Sequence, residues 1–388
     1  MTNPSEPSIF AQLHSEKLAA YIRDEIEVAQ GHVIDFARFM QSCLYAPGLG
    51  YYSAGTHKFG RGGDFITAPE ISPLFARCLA RQFQQIFDLC GCKTILEVGA
   101  GSGIFARDVL LALHQADMLP DHYFILEISA ELRERQLQRF QVEIPQFLSR
   151  IVWLDELPTS PFDGIIFANE VLDAMPVHRF EWRAGEVSEC CVAVERGTFV
   201  WRNKPADLEL KNRVLAIADE CSLPDIYRSE ISFFQSAWIQ SMATVLRRGL
   251  LLLVDYGYGR REYYHPERVD GTLMCFYQHK KELDPLLRVG LQDMTAHVDF
   301  TAIAESAHEA GLEVAGFTTQ AGFLLGCGLL ELAEAVELDE AARYEQNQAI
   351  KTLMLPSQMG EVVKVMALTK NVDWAATAFD LQNRVQDL

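Results

Sequence analysis

The segment Glu97-Val98-Gly99-Ala100-Gly101-Ser102-Gly103 follows a short apolar run, Thr94 to Val98, and precedes a helical pattern, Ile104 to His114. Glycines between a strand and a helix permit a tight turn and a close approach of backbone to ligand. The spacing is acidic-x-G-x-G-x-G. It departs from the dinucleotide fingerprint G-x-G-x-x-G, because the third glycine is Gly103 and position 104 is Ile. A second strand, Tyr123 to Leu126, leads into Glu127, where a carboxylate can accept both hydroxyls of a ribose. A third, Ile151 to Leu154, leads into Asp155, within reach of the exocyclic amine of an adenine. Glu97, Gly99, Gly101, Gly103, Glu127 and Asp155 are thus candidate contacts for an adenosine-bearing cofactor.

A fourth strand, Gly164 to Ala168, runs into Asn169-Glu170-Val171-Leu172-Asp173-Ala174-Met175-Pro176. Open α/β sheets bind ligands at the carboxyl ends of their strands. Two carboxylates and an amide there suit a guanidinium, which is planar, stays charged and presents five donors. Glu170 is the expected clamp through paired hydrogen bonds, Asp173 the second carboxylate, and Asn169 the amide beside them. Asp255-Tyr256-Gly257 closes the next strand at the same edge, and His279, His297 and Asp299 lie in later connections. A neutral histidine near the acceptor can take up a proton, although structural histidines are more common. The stretch Phe59 to Thr67 has hinge glycines and apolar residues suited to a cover that excludes water. Within it Gly63, Asp64 and Thr67 are further candidate cofactor contacts.

These residues need a frame. Helical patterns run from about Gln12 to Gly31, from Phe36 to Leu44 behind a capping Asp35, and from Ser72 to Leu89. From Thr94 the pattern alternates strand and helix, which implies a parallel sheet covered on both faces. Residues 177–230 break that rhythm and read as an α+β insertion between the fourth and fifth strands. Helix Ser232 to Arg248 and strand Leu250 to Val254 restore it. Helix Val298 to Gly311 and strands Val314 to Thr318 and Val362 to Leu368 complete it. The expected organisation is a helical region and cofactor cover over 1–93, half of a core over 94–176 and the insertion over 177–230. The second half of the core follows over 231–370, with a surface tail over 371–388. The insertion is the natural place for partner recognition, because the bare fold does not need it.

Composition narrows the function classes. The chain has 388 residues, and 49% hydrophobic content suffices for a large core. The net charge of −19 lacks the basic stripe that nucleic-acid binding needs and favours a basic peptide or cationic ligand. Nine scattered cysteines without a C-x-x-C pair read as core residues in a reducing compartment, so no metal is expected. No apolar run is long enough to span a membrane, and the N-terminal residues lack the features of a secretory signal. The bacterial cytoplasm is the expected location.

The glycine loop resembles the first motif of class I methyltransferases. Seven blocks in order resemble one family within them, the MidA-type methyltransferases, which include a mitochondrial complex I assembly factor that dimethylates an arginine. The blocks are Tyr45-Ala46-Pro47-Gly48-Leu49-Gly50-Tyr51-Tyr52, Gly63-Asp64-Phe65-Ile66-Thr67-Ala68-Pro69-Glu70-Ile71-Ser72, the glycine loop, Asn169 to Pro176, Asp255-Tyr256-Gly257, Thr295 to Phe300, and Gln320 to Leu324. They span nearly the whole chain. The family's Gly-Pro-Gly-Arg-Gly is here Gly99-Ala100-Gly101-Ser102-Gly103. The resemblance implies an α/β class I (Rossmann-like) fold with a seven-stranded, mostly parallel sheet, an N-terminal helical extension and the insertion. It implies S-adenosyl-L-methionine as cofactor, with Glu97 facing its charged methionine moiety. It also implies an arginine on a partner protein as acceptor, with symmetric dimethylation and a respiratory complex I type partner. Two other readings remain open: a methyltransferase for a small molecule, and an assembly chaperone that binds the cofactor without transfer.

Overall fold

The computed structural model describes residues 7–54, 67–278, 280–335 and 337–388. The chain divides into two units. The first comprises the described residues of Met1–His57 together with Asp173–Gln235 and Arg260–His297. The second comprises those of Lys58–Leu172, Ser236–Gly259 and Val298–Leu388.

The second unit is built on a mixed α/β sheet. Its strands are β1 (Thr94–Val98), β2 (His122–Leu126), β3 (Ile151–Leu154), β4 (Phe162–Asn169), β5 (Leu246–Tyr258), β6 (Glu313–Thr319) and β7 (Val363–Lys370). They lie in the order β6-β7-β5-β4-β1-β2-β3, and a two-residue strand, Val298–Asp299, makes an eighth by pairing with the end of β5. Contacts from β5 through β4, β1 and β2 to β3 are parallel, and β7 runs antiparallel to both its neighbours. The sheet is therefore large and mostly parallel, as expected. Leu250 to Val254 are wholly buried, which is why β5 reads as an unbroken apolar run rather than an alternating one. The chain lays down β1, β2 and β3 outward, then returns to place β4 on the other side of β1. That reversal opens a crevice at the carboxyl ends of β1 and β4.

The first unit carries an antiparallel sheet in the order Val33–Asp35, Glu186–Glu195, His178–Arg183, Ile226–Ile231, with Thr198–Pro205 also paired to Glu186–Glu195. Its core gathers Leu18, Ile22, Phe36, Phe39, Phe199 and Met294. Asp35 caps helix Phe36–Tyr45 by accepting from the Arg38 N–H at 2.7 Å. The N-terminal Val33–Asp35 pairs with residues 191–193, so residues 177–230 are not a self-contained insertion. Their sheet takes one strand from a distant part of the chain.

Three further elements differ from the sequence reading. Helix Phe233–Val245 stops before Leu246, and Leu246 to Arg248 begin β5 instead, because they continue the pairing with β4. Helix Phe300–Glu309 starts after Asp299, which caps it by accepting from the Thr301 and Ala302 N–H groups. The tail is packed rather than trailing. Trp374, Ala378 and Phe379 are buried, and the Phe379 ring fills the space in front of Gly316, where a Cβ would stand 2.4 Å from it. Seven of the nine cysteines are buried and the other two half-buried. Among the described residues no helix is long and apolar enough to cross a membrane, and no cluster of potential metal ligands occurs. Phe379→Ala is expected to lower stability by about 3 kcal/mol, read as a shift of the urea midpoint at unchanged slope. A shift below about 0.5 kcal/mol, the range of a surface substitution, would show the tail to be an appendage after all.

Candidate active site

β1 carries Glu97 into the interior next to Tyr123 of β2, whose hydroxyl donates to Glu97 Oε2 at 2.7 Å. Burial pushes the Glu97 carboxyl up to about 8; the Tyr123 hydrogen bond opposes the rise and the neighbouring Glu127 carboxyl adds to it. Glu127 is buried just beyond β2 and is raised, again chiefly by burial. The Ser129 N–H, 3.0 Å from its Oε1, and the Gln136 amide, 3.4 Å from its Oε2, pull the other way. Two carboxyl groups are thus held beneath the glycine turn without a basic side chain hydrogen-bonded to either of them in the described structure.

Gly99, Gly101 and Gly103 adopt φ of 69°, 53° and 79°, the left-handed region that disfavours a Cβ. Space is short as well: a Cβ on Gly99 would stand 2.9 Å from Val171 Cγ2, and one on Gly103 would stand 2.9 Å from the Phe140 ring. Gln136 ties the turn down. Its amide donates to the Gly101 carbonyl at 2.8 Å, and its own carbonyl accepts from Trp153 Nε1 at 2.8 Å. The sequence reading missed Gln136, yet a signal was present. Leu132, Gln136 and Phe140 form the buried stripe of helix Ala130–Glu143, and a glutamine on such a stripe needs polar partners. Ser102 donates to the Glu70 carboxylate.

At the end of β4, Asn169 lies opposite Val254 of β5, and the Glu170 N–H donates to the Val254 carbonyl at 2.8 Å. Glu170 has φ of 53°, a left-handed conformation costing a non-glycine residue roughly 1 kcal/mol. The next two residues are tied to β5. Asp255, fully buried, accepts through Oδ2 from the Val171 N–H at 3.1 Å and the Leu172 N–H at 2.8 Å. Its Oδ1 accepts from the Tyr256 N–H at 2.8 Å. Asn169 Nδ2 donates to Glu170 Oε1 at 3.2 Å, while Asn169 Oδ1 is buried without a hydrogen-bond partner among the described residues.

Asp155 is highly exposed and paired with Arg133 at 2.6 Å, and the same guanidinium donates to the Glu127 carbonyl at 2.6 Å. Thr67 stands at the cap position of the short helix Ala68–Ile71 without a capping side-chain bond. The expected cover over Phe59 to Ile66, with Gly63 and Asp64, lies outside the described residues, as does His279. Asp173 is buried in the first unit, where its carbonyl accepts from the Ala296 N–H at 2.9 Å and the next carbonyl, that of Ala174, accepts from the Tyr45 hydroxyl at 2.9 Å. His297 belongs to that unit and donates its backbone N–H to Thr272 Oγ1 at 3.0 Å.

Residues 78–318, more than half of the chain, match a family described as S-adenosyl-L-methionine-dependent methyltransferases. The chain belongs to that family. This methyltransferase is similar over its whole length to a Burkholderia thailandensis protein whose crystal structure contains S-adenosyl-homocysteine. The two are 39% identical, with a TM-score of 0.94 and full coverage of both chains. It also resembles the Drosophila melanogaster protein arginine methyltransferase NDUFAF7 homolog, mitochondrial, at 28% identity over 87% of this chain and 82% of the fly protein. The human protein arginine methyltransferase NDUFAF7, mitochondrial, is 27% identical over 86% of this chain and 80% of its own length. The residues at the carboxyl edge fit the family's cofactor. A turn that side chains would block, two buried carboxyls and a buried amide oxygen in want of a donor match a cationic adenosine derivative.

Glu97 gives the methyltransferase a pH signature. Its ordinary value is 4.5 and its folded value about 8, so between these the folded chain keeps a proton that the unfolded chain releases. The resulting stability is complete below 4.5 and is lost as pH rises through about 8. Urea unfolding of the ligand-free chain is expected to show wild type losing stability relative to Glu97→Gln across that window. Parallel curves would mean that Glu97 titrates like an exposed carboxyl.

Proposed function

We propose that this methyltransferase transfers methyl groups to an arginine side chain of a partner protein. The reading rests on Glu170, a carboxylate in a strained backbone conformation that closes β4 next to the glycine turn of β1. Strain held in place by buried hydrogen bonds is characteristic of functional positions. The fly and human relatives are named as protein arginine methyltransferases, which supports the same acceptor. The net charge of −19 suits a basic substrate segment. The family resemblance further suggests symmetric dimethylation and a partner of respiratory complex I type.

Glu97, Glu127 and the turn Gly99–Gly103 would hold the cofactor, with Asp155, Thr67, Gly63 and Asp64 as additional contacts. When bound, S-adenosyl-L-methionine supplies an activated methyl group. The chain's own part is to orient the acceptor and exclude water. In this proposal Glu170 accepts two hydrogen bonds from the guanidinium and fixes its plane. Asn169 Oδ1 offers a further acceptor, and Asp173 adds negative charge along the same segment. Correct orientation alone can supply several kcal/mol of barrier lowering.

The test is transfer of labelled methyl groups from S-adenosyl-L-methionine into an extract of cells lacking the protein. Wild type is expected to label a protein band that yields methylarginine on digestion, and Glu170→Gln to lower the rate about a hundredfold. Label confined to the metabolite fraction would establish a small-molecule acceptor instead. No label, with S-adenosyl-homocysteine still bound, would indicate a binding protein.

A further inference from the structure

The Asp255 carboxylate accounts for a motif that the cofactor and acceptor residues leave unexplained. It is fully buried and accepts from three backbone N–H groups: Val171, Leu172 and Tyr256. Two of the three belong to the segment that follows Glu170. A buried carboxylate satisfied by loop amides is costly to replace, because each amide it serves then loses its acceptor. β5 supplies a second tie, since the Val254 carbonyl takes the Glu170 N–H. Glu170 is therefore bracketed. Its own N–H is bound to residue 254, and the next two N–H groups are bound to residue 255. A chain pinned at these three amides must turn sharply, and the left-handed φ of 53° at Glu170 is where it does so.

We infer that Asp255 is a positioning residue for methyl transfer, acting through the backbone of Glu170 rather than on the cofactor or the acceptor. The inference rests on the reading of Glu170 as the acceptor clamp. Without the two N–H bonds to Asp255, Glu170 relaxes from its left-handed conformation and its carboxylate leaves the position that holds the acceptor. Cofactor binding, which draws on β1 and β2, is unaffected. A displacement of about 1 Å in such an arrangement can lower a rate about a hundredfold.

A double-mutant cycle in the full-length chain tests this. Wild type, Asp255→Asn, Glu170→Gln and the double variant are compared for labelled methyl incorporation into the same extract, for S-adenosyl-homocysteine affinity and for melting temperature. The expected result is a rate about a hundredfold lower in each single variant, no further loss in the double variant, and S-adenosyl-homocysteine affinity equal to wild type in all four. Loss of that affinity in a folded Asp255→Asn would show Asp255 to serve the cofactor site as well and would overturn the inference; if the melting temperature shows that Asp255→Asn does not fold, Asp255→Ser, which keeps an accepting oxygen in a smaller volume, takes its place in the cycle. Losses that multiply in the double variant would make Asp255 an independent structural contributor and overturn the inference. So would a wild-type rate in the Asp255 variant alongside a slow Glu170→Gln, and that outcome would leave the reading of Glu170 standing. A wild-type rate in Glu170→Gln would overturn the reading of Glu170 itself and, with it, this inference.

Discussion

The arrangement depends on how backbone N–H groups are satisfied where β4 ends. A strand that stops inside a protein leaves its next few amides without sheet partners, and buried amides cannot be left unpaired without cost. Here the Asp255 carboxylate and the Val254 carbonyl, consecutive residues of β5, take the three amides from Glu170 to Leu172. The loop is thereby fixed by its neighbour in the sheet rather than by its own residues. Val171, so held, limits the room at Gly99, and the glycine turn of β1 packs directly against it.

Electrostatics follow the same edge. Glu97 and Glu127 are both buried and both raised, Glu97 in part by the Glu127 carboxyl, and their carboxyls accept from neutral groups: the Tyr123 hydroxyl, the Ser129 N–H and the Gln136 amide. Placing carboxyls in such a setting destabilises the ligand-free protein at high pH. It also leaves negative charge that a cation can release, which suits a cofactor carrying a sulfonium and an ammonium. Asp155 differs: it is exposed and already engaged by Arg133 through one carboxylate oxygen.

Much of this was legible in the sequence because it is local. The glycine spacing, the acidic residues that close β1 and β2, and the capping role of Asp35 follow from short windows whose physics is self-contained. What was not legible depends on partners far along the chain. Val33–Asp35 becomes a strand only because residues 191–193 offer an edge, and Leu246 to Arg248 leave their helix only because β4 is beside them. Phe379 is buried because Gly316 leaves a space that no window around residue 379 reveals. At the site, Asp255 was visible as a residue at the carboxyl edge, but its binding to Val171 and Leu172 was not. Gln136 was overlooked because a glutamine in a charged helix looks solvent-facing until its place on the buried stripe is noticed.

Burial holds a proton on Glu97 at neutral pH, and a cationic cofactor binding beside it would displace that proton. Titration calorimetry of S-adenosyl-homocysteine, whose ammonium remains, into the chain at neutral pH tests it when repeated in buffers of different ionisation enthalpy. Proton release is expected on binding by wild type, with a marked reduction of that release in Glu97→Gln. Binding heats independent of the buffer in wild type would contradict it, since Glu97 would then carry its charge before the ligand binds.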